Sequence, residues 1–114
     1  MCIRRNIDNS CGSAGSNRIL QVSNGFTYEW SASAPTGSKV DPASIQINGT
    51  AIDLAATYRV TVNSFLADGG DNFAVLVSGT NRLGGEVDLD ALVTYFGANS
   101  PVAPGPQNRI TQIP

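Results

Sequence analysis

Hydrophobic and polar positions alternate in short runs along most of this chain and change to a helical spacing once, near its end. Ile19, Leu20 and Val22 fall in one strand-like run over residues 19–23. Phe26, Tyr28 and Trp30 fall in a second over residues 26–30. Asn24-Gly25 separates them, and Asn-Gly between two such runs predicts a hairpin, because both residues tolerate the positive φ of a type I′ turn. Ser44-Ile45-Gln46-Ile47 meets a second such turn at Asn48-Gly49, and residues 51–54 are expected to return beside it. Residues 57–62 alternate most cleanly, with Tyr58, Val60 and Val62 on one face, and predict a central strand. A turn or short helix followed by a loop should occupy residues 63–73. Residues 73–77 then read as another strand, and residues 81–85 as a loop.

The helical spacing belongs to Leu89, Leu92, Val93 and Phe96, which follow i, i+3, i+4, i+7 and form one apolar stripe. Asp88 is suited to the N-cap, Asp90 to the positive end of the helix dipole, and Gly97 to a left-handed stop. Residues 1–17 show no apolar period and read as a poorly ordered leader. Residues 98–114 should form an extended tail, since Pro101, Pro104 and Pro106 forbid a helix there. Hairpins followed by one helix imply an α+β fold with a mixed or antiparallel sheet.

Composition narrows the function. The chain has 114 residues, enough for one small domain. It is 41% hydrophobic and only 14% charged, with 12 glycines. Nine acidic residues against seven basic give a net charge of −2, so no basic excess exists to neutralise a nucleic-acid polymer. The longest apolar run, residues 73–77, is far shorter than the roughly 20 residues of a membrane span. Histidine is absent, which removes His-ligated metal sites, Ser-His and Cys-His nucleophile pairs, and imidazole acid–base chemistry. Cys2 and Cys11 either close a short loop as a disulfide or remain free thiols, and the sequence leaves both open.

Candidate chemistry concentrates between residues 65 and 71. In Asp68-Gly69-Gly70-Asp71 two glycines allow close backbone approach to a ligand, and the carboxylates are placed to grip hydroxyls or a cation. The competing reading is a tight turn with solvated acids, and the spacing of an EF-hand loop is absent. Phe65, just before this loop, is either a stacking platform for a base or core packing. Asp53, Glu86, Asp88 and Asp90 read as turn and cap residues, and Asn48-Gly49-Thr50 as a turn rather than a glycosylation acceptor.

Beyond composition, Tyr58-Arg59-Val60-Thr61-Val62-Asn63-Ser64-Phe65-Leu66-Ala67-Asp68-Gly69-Gly70-Asp71-Asn72-Phe73 closely resembles the T-Y-x-V-x-x-N-x-F-L-A-x-G-G-D-x-F hallmark of the 5′-nucleotidase C-terminal domain. Other segments agree in order, so that the resemblance covers roughly residues 18–110. It implies a domain that binds the nucleoside part of a substrate beside an N-terminal metallophosphatase domain holding two divalent metals. Such enzymes release phosphate from nucleoside 5′-monophosphates or related nucleotides, and many are periplasmic, secreted or wall-attached. Carried over residue by residue, Phe65 matches the phenylalanine that stacks on the base. Asp71 matches the aspartate that accepts hydrogen bonds from the ribose hydroxyls, and Gly69 and Gly70 let the sugar approach the backbone.

The family's metal-binding segment, its phosphate-binding arginines and its second base-stacking aromatic have no counterpart in this sequence. Residues 18–114 are therefore expected to be part of such a domain, truncated on its N-terminal side. No catalytic residue, metal or other cofactor is expected in this chain, and no activity alone. The implied partners are a nucleoside or nucleotide and the metallophosphatase domain. A homodimer or domain swap would cover a sheet left incomplete by truncation. The rival reading is a structural or interaction module that keeps the fold without the enzyme, and the genome upstream of Met1 would discriminate the two.

Overall fold

A computed structural model describes residues 19–114. The leader over residues 1–17 and the pairing of Cys2 with Cys11 lie outside the described residues. The fold is α+β, with a mixed four-stranded sheet of order β3-β2-β1-β4. Strand β1 is Phe26–Ser31, β2 is Gln46–Ile47, β3 is Thr50–Ala51 and β4 is Ile110–Ile113. Two α-helices, α1 (Ser64–Ala67) and α2 (Asp88–Asn99), fall between β3 and β4 in the chain. Among the described residues, no helix is long and apolar enough to cross a membrane.

Strand β1 organises the sheet. Its antiparallel partner is β2, with Phe26 opposite Ile47 and Thr27 opposite Gln46. Its parallel partner is β4, with Tyr28 opposite Ile110 and Ser31 opposite Ile113. The alternation along β1 sends Tyr28 into a core with Val40 and Ile45. Phe26, Trp30 and Ile52 pack around that core. The β2–β3 hairpin forms at Asn48-Gly49, where φ is 50° and 78°, the two positive values a type I′ turn needs.

The first hairpin does not form. Asn24-Gly25 is a turn, in which the Phe26 N–H donates to the Ser23 carbonyl at 3.2 Å, but residues 19–23 join no strand. Both edges of β1 are taken by β2 and β4, so no ladder position remains for them. Ile19 and Val22 cover the core instead.

Residues 57–62 are not a strand either, and Val60 is 71% exposed. Alternation alone does not make a strand, which needs a neighbouring ladder; among the described residues none lies alongside. Residues 73–77 form no strand. Phe73 is buried, and a 3₁₀ turn covers Ala74–Ser78. Its backbone donors are satisfied locally, Leu76 N–H on the Phe73 carbonyl at 3.0 Å and Gly79 N–H on that of Leu76 at 3.2 Å.

Helix α2 starts one residue earlier than its sequence suggests and stops later. Asp88 is its first residue rather than its N-cap, and its carboxylate accepts from the Leu89 N–H at 2.9 Å. The helix runs through Gly97 to Asn99. Leu89, Leu92, Val93 and Phe96 share a face but are 45% to 63% exposed, so the stripe is not docked on the sheet. The expected tail over 98–114 is helical at residues 98–99, carries no regular element over residues 100–109, and then enters the sheet as β4, a strand that its short, proline-flanked sequence does not announce.

Candidate functional site

The candidate residues lie on one tight excursion of backbone. Asn63 begins it: in extended conformation (φ −70°, ψ 164°), its side-chain oxygen accepts from the Leu66 N–H at 2.9 Å. That is the geometry of an N-cap, and it fixes the single turn of α1. Phe65 projects from this turn and is 58% exposed. It is not a core residue; Phe73, which closes the motif, is the buried one.

The turn ends where the glycines begin. Gly69 has φ +86°, and its N–H donates to the Leu66 carbonyl at 3.0 Å. A left-handed residue just past a helix end is the usual place for glycine. Any Cβ here would also sit 3.0 Å from the Val77 Cγ2. Gly70 serves a different end. A Cβ on it would fall 2.5 to 2.6 Å from the Cε1, Cδ1 and Cζ atoms of Phe65. The aromatic ring therefore rests against bare backbone, in space that any other residue would fill.

Asp71 follows immediately, exposed, with φ 53° and ψ 27°. Asn72 is left-handed as well, at φ 62°. Two consecutive non-glycine residues in this region are uncommon, and Asp and Asn are among the residues that tolerate it best. The structure thus brings Phe65, Gly69, Gly70 and Asp71 together: ring on Gly70, carboxylate on the next residue. The surface they form is open.

A shallow hollow of about 450 Å³ lies elsewhere, on the polar face of the sheet. Thr27, Glu29, Gln46 and Thr111 line it, paired across the strands. Phe65 and Asp71 take no part in it. Among the described residues, no group of three or more His, Cys, Asp or Glu side chains is placed to hold a metal ion.

One residue at the site was not foreseen. Arg82, in what reads as an unstructured loop, places Nη1 3.0 Å from the Asp68 Oδ1. Its Nη2 donates to the carbonyls of Ala67 at 2.6 Å and Val77 at 3.4 Å. No periodicity marks it, because it acts across a loop, 14 residues from Asp68.

The family model described as the 5′-nucleotidase C-terminal domain matches residues 3–78, a stretch that includes all four candidate residues. The chain belongs to this family. Relatives of the 5′-nucleotidase C-terminal domain carry related names. A 5′-nucleotidase-related protein of Glossina morsitans morsitans is 34% identical over 103 residues, covering 84% of this chain and 18% of its own length. An apyrase of Tabanus yao is 33% identical over 114 residues, 94% of this chain and 20% of that protein. A 5′-nucleotidase of Vibrio cholerae is 39% identical over 61 residues, 53% of this chain and 11% of that protein. The chain therefore spans a fifth or less of the length of these relatives. A nucleotidase-related role follows from membership of the 5′-nucleotidase C-terminal domain family.

Proposed function

We propose that this chain is the nucleoside-holding portion of a 5′-nucleotidase-type phosphohydrolase and hydrolyses nothing by itself. The observation that carries the reading is the exposed Phe65 ring resting on Gly70, one residue from Asp71. A ring face accepts a nucleobase by stacking. An ionised carboxylate accepts hydrogen bonds from the two hydroxyls of a ribose, and Gly69 and Gly70 leave room for the sugar against the backbone. In the complete enzyme two divalent metals, held by a separate metallophosphatase domain, would activate water and stabilise the leaving oxygen. This chain's own residues bind and orient the nucleoside. The family resemblance supports a location outside the cytoplasm for the whole protein.

Magnitudes limit what the chain does alone. One base stack contributes about 1–3 kcal/mol, whereas a millimolar complex needs about 4.1 kcal/mol. Stack and ribose contacts together therefore support binding in the millimolar range. An NMR titration of the full chain with AMP tests this. Amide shifts are expected at Phe65, Gly70 and Asp71, with a fitted Kd near millimolar. Phe65→Ala should weaken binding about tenfold, the lower part of the range for losing one stack. Asp71→Asn should weaken it less, since the amide still accepts one hydrogen bond. Micromolar affinity would overturn the millimolar limit on the chain alone, whereas shifts confined to the sheet would refute the assignment and leave the interaction-module reading in its place.

A further inference from the structure

We propose that Arg82 is a positioning residue for the nucleoside loop: it clamps the two ends of the Gly-Gly-Asp turn and so holds Phe65 and Asp71 in register. This rests on the nucleoside reading above, and Arg82 lies beyond residues 3–78, the segment the family model matches.

The need for a clamp comes from the backbone. Helix α1 is one turn of four residues, too short to persist on its own propensity. The residues after it hold three left-handed conformations within four positions, at Gly69, Asp71 and Asn72. Such backbone persists where its surroundings over-determine it. Arg82 supplies that determination. Its guanidinium reaches the Ala67 carbonyl and the Asp68 carboxylate on the near side of the turn, and the Val77 carbonyl on the far side.

The Ala67 carbonyl belongs to the last turn of α1, where helical acceptors lack intrahelical donors. Val77 is also the residue whose methyl group lies against the Gly69 position. The two ends are thus tied by the same side chain that closes the helix. A guanidinium fits this task because it is planar and carries donors in a fixed fork, whereas an ammonium is a point charge on a flexible stem. With its guanidinium directed at the loop's own acceptors, Arg82 acts through the loop and not as a ligand for the phosphate.

The test compares the full wild-type chain with Arg82→Ala, Arg82→Lys and Asp68→Asn, each titrated with AMP and followed by amide spectra. Arg82→Ala should shift the amides of Gly69, Gly70 and Asp71 before any ligand is added. It should also weaken AMP binding, by up to about fivefold because the pair is solvent-exposed and acts on the ligand only through the loop, while Tyr28 and Ile45 in the sheet keep their wild-type positions. Arg82→Lys should restore part of the affinity and Asp68→Asn should lose part of it. AMP affinity of Arg82→Ala within twofold of wild type, with unchanged loop amides, overturns the proposal. If Arg82→Ala unfolds the chain, Asp68→Asn decides: loop shifts with an intact sheet support the clamp, and a silent loop overturns it. A wild-type chain whose Phe65 and Asp71 ignore AMP refutes the nucleoside reading instead. The ligand-free shifts of Arg82→Ala then still decide whether the clamp exists.

Discussion

Tyr28 occupies the middle of β1 at 2% exposure, and among the described residues its phenolic oxygen has no hydrogen-bond partner. Its ring fills the core beside Val40 and Ile45, but among the described residues nothing replaces the water its hydroxyl has lost. Such a group costs about 1–3 kcal/mol. The same burial disfavours the phenolate and pushes the Tyr28 pKa from 10.0 up to about 12. The unfolded chain therefore gives up this proton at lower pH than the folded one, so this contribution is intact below pH 10 and is lost as pH rises from 10 to 12. The ceiling is about 3 kcal/mol for a shift of this size. Tyr28→Phe keeps the ring and removes the hydroxyl. It should stabilise the chain by about 1 kcal/mol at pH 8 and flatten the loss above pH 10. Urea midpoints of both proteins at pH 8 and pH 11 check this, and a Phe variant that is less stable at pH 8 would show that the hydroxyl has a favourable partner.

Elements whose determinants are local were legible in the sequence. The β2–β3 hairpin is set by Asn48-Gly49, and α1 by the Asn63 cap and the glycine after Asp68. The Phe65–Asp71 grouping was legible through its motif rather than through any period. Elements decided by distant partners were not legible. Residues 19–23 lose their place in the sheet to β4, which arrives more than 80 positions later along the chain. Arg82 reaches its acceptors across a loop, and residues 57–62 have the right alternation without a neighbour. Gly97 failed for a different reason: glycine permits a helix stop but does not compel one. It sits inside α2, and a Cβ there would meet nothing within 4 Å. Gly97→Ala should therefore stabilise the chain by about 0.5–1 kcal/mol, the usual gain at an exposed helical position. A thermal melt showing destabilisation would mean that the helix stops at Gly97 in solution.

At the scale of the whole molecule, the question is how much of a phosphohydrolase 114 residues supply. On the reading proposed above, they supply an aromatic platform and a carboxylate on a turn braced by Arg82. Two-metal hydrolysis needs something else: a cage of nitrogen and oxygen ligands around ions roughly 3.5–4 Å apart. This sequence has no histidine, and its described acids form no group of three. Even full use of the stacking energy raises only the local concentration of nucleotide; it provides no activated water. The pure chain, given AMP with magnesium, manganese or zinc, should therefore release no phosphate above buffer. Joined to a metallophosphatase domain, the same chain should govern KM, so Phe65→Ala there should raise KM more than it lowers kcat, because the stack forms with bound substrate as well as with the transition state. Two results would break this division of labour. One is chelator-sensitive phosphate release that co-purifies with the chain through gel filtration. The other is a Phe65→Ala enzyme that loses kcat at unchanged KM, which would put the ring's interaction in the transition state alone.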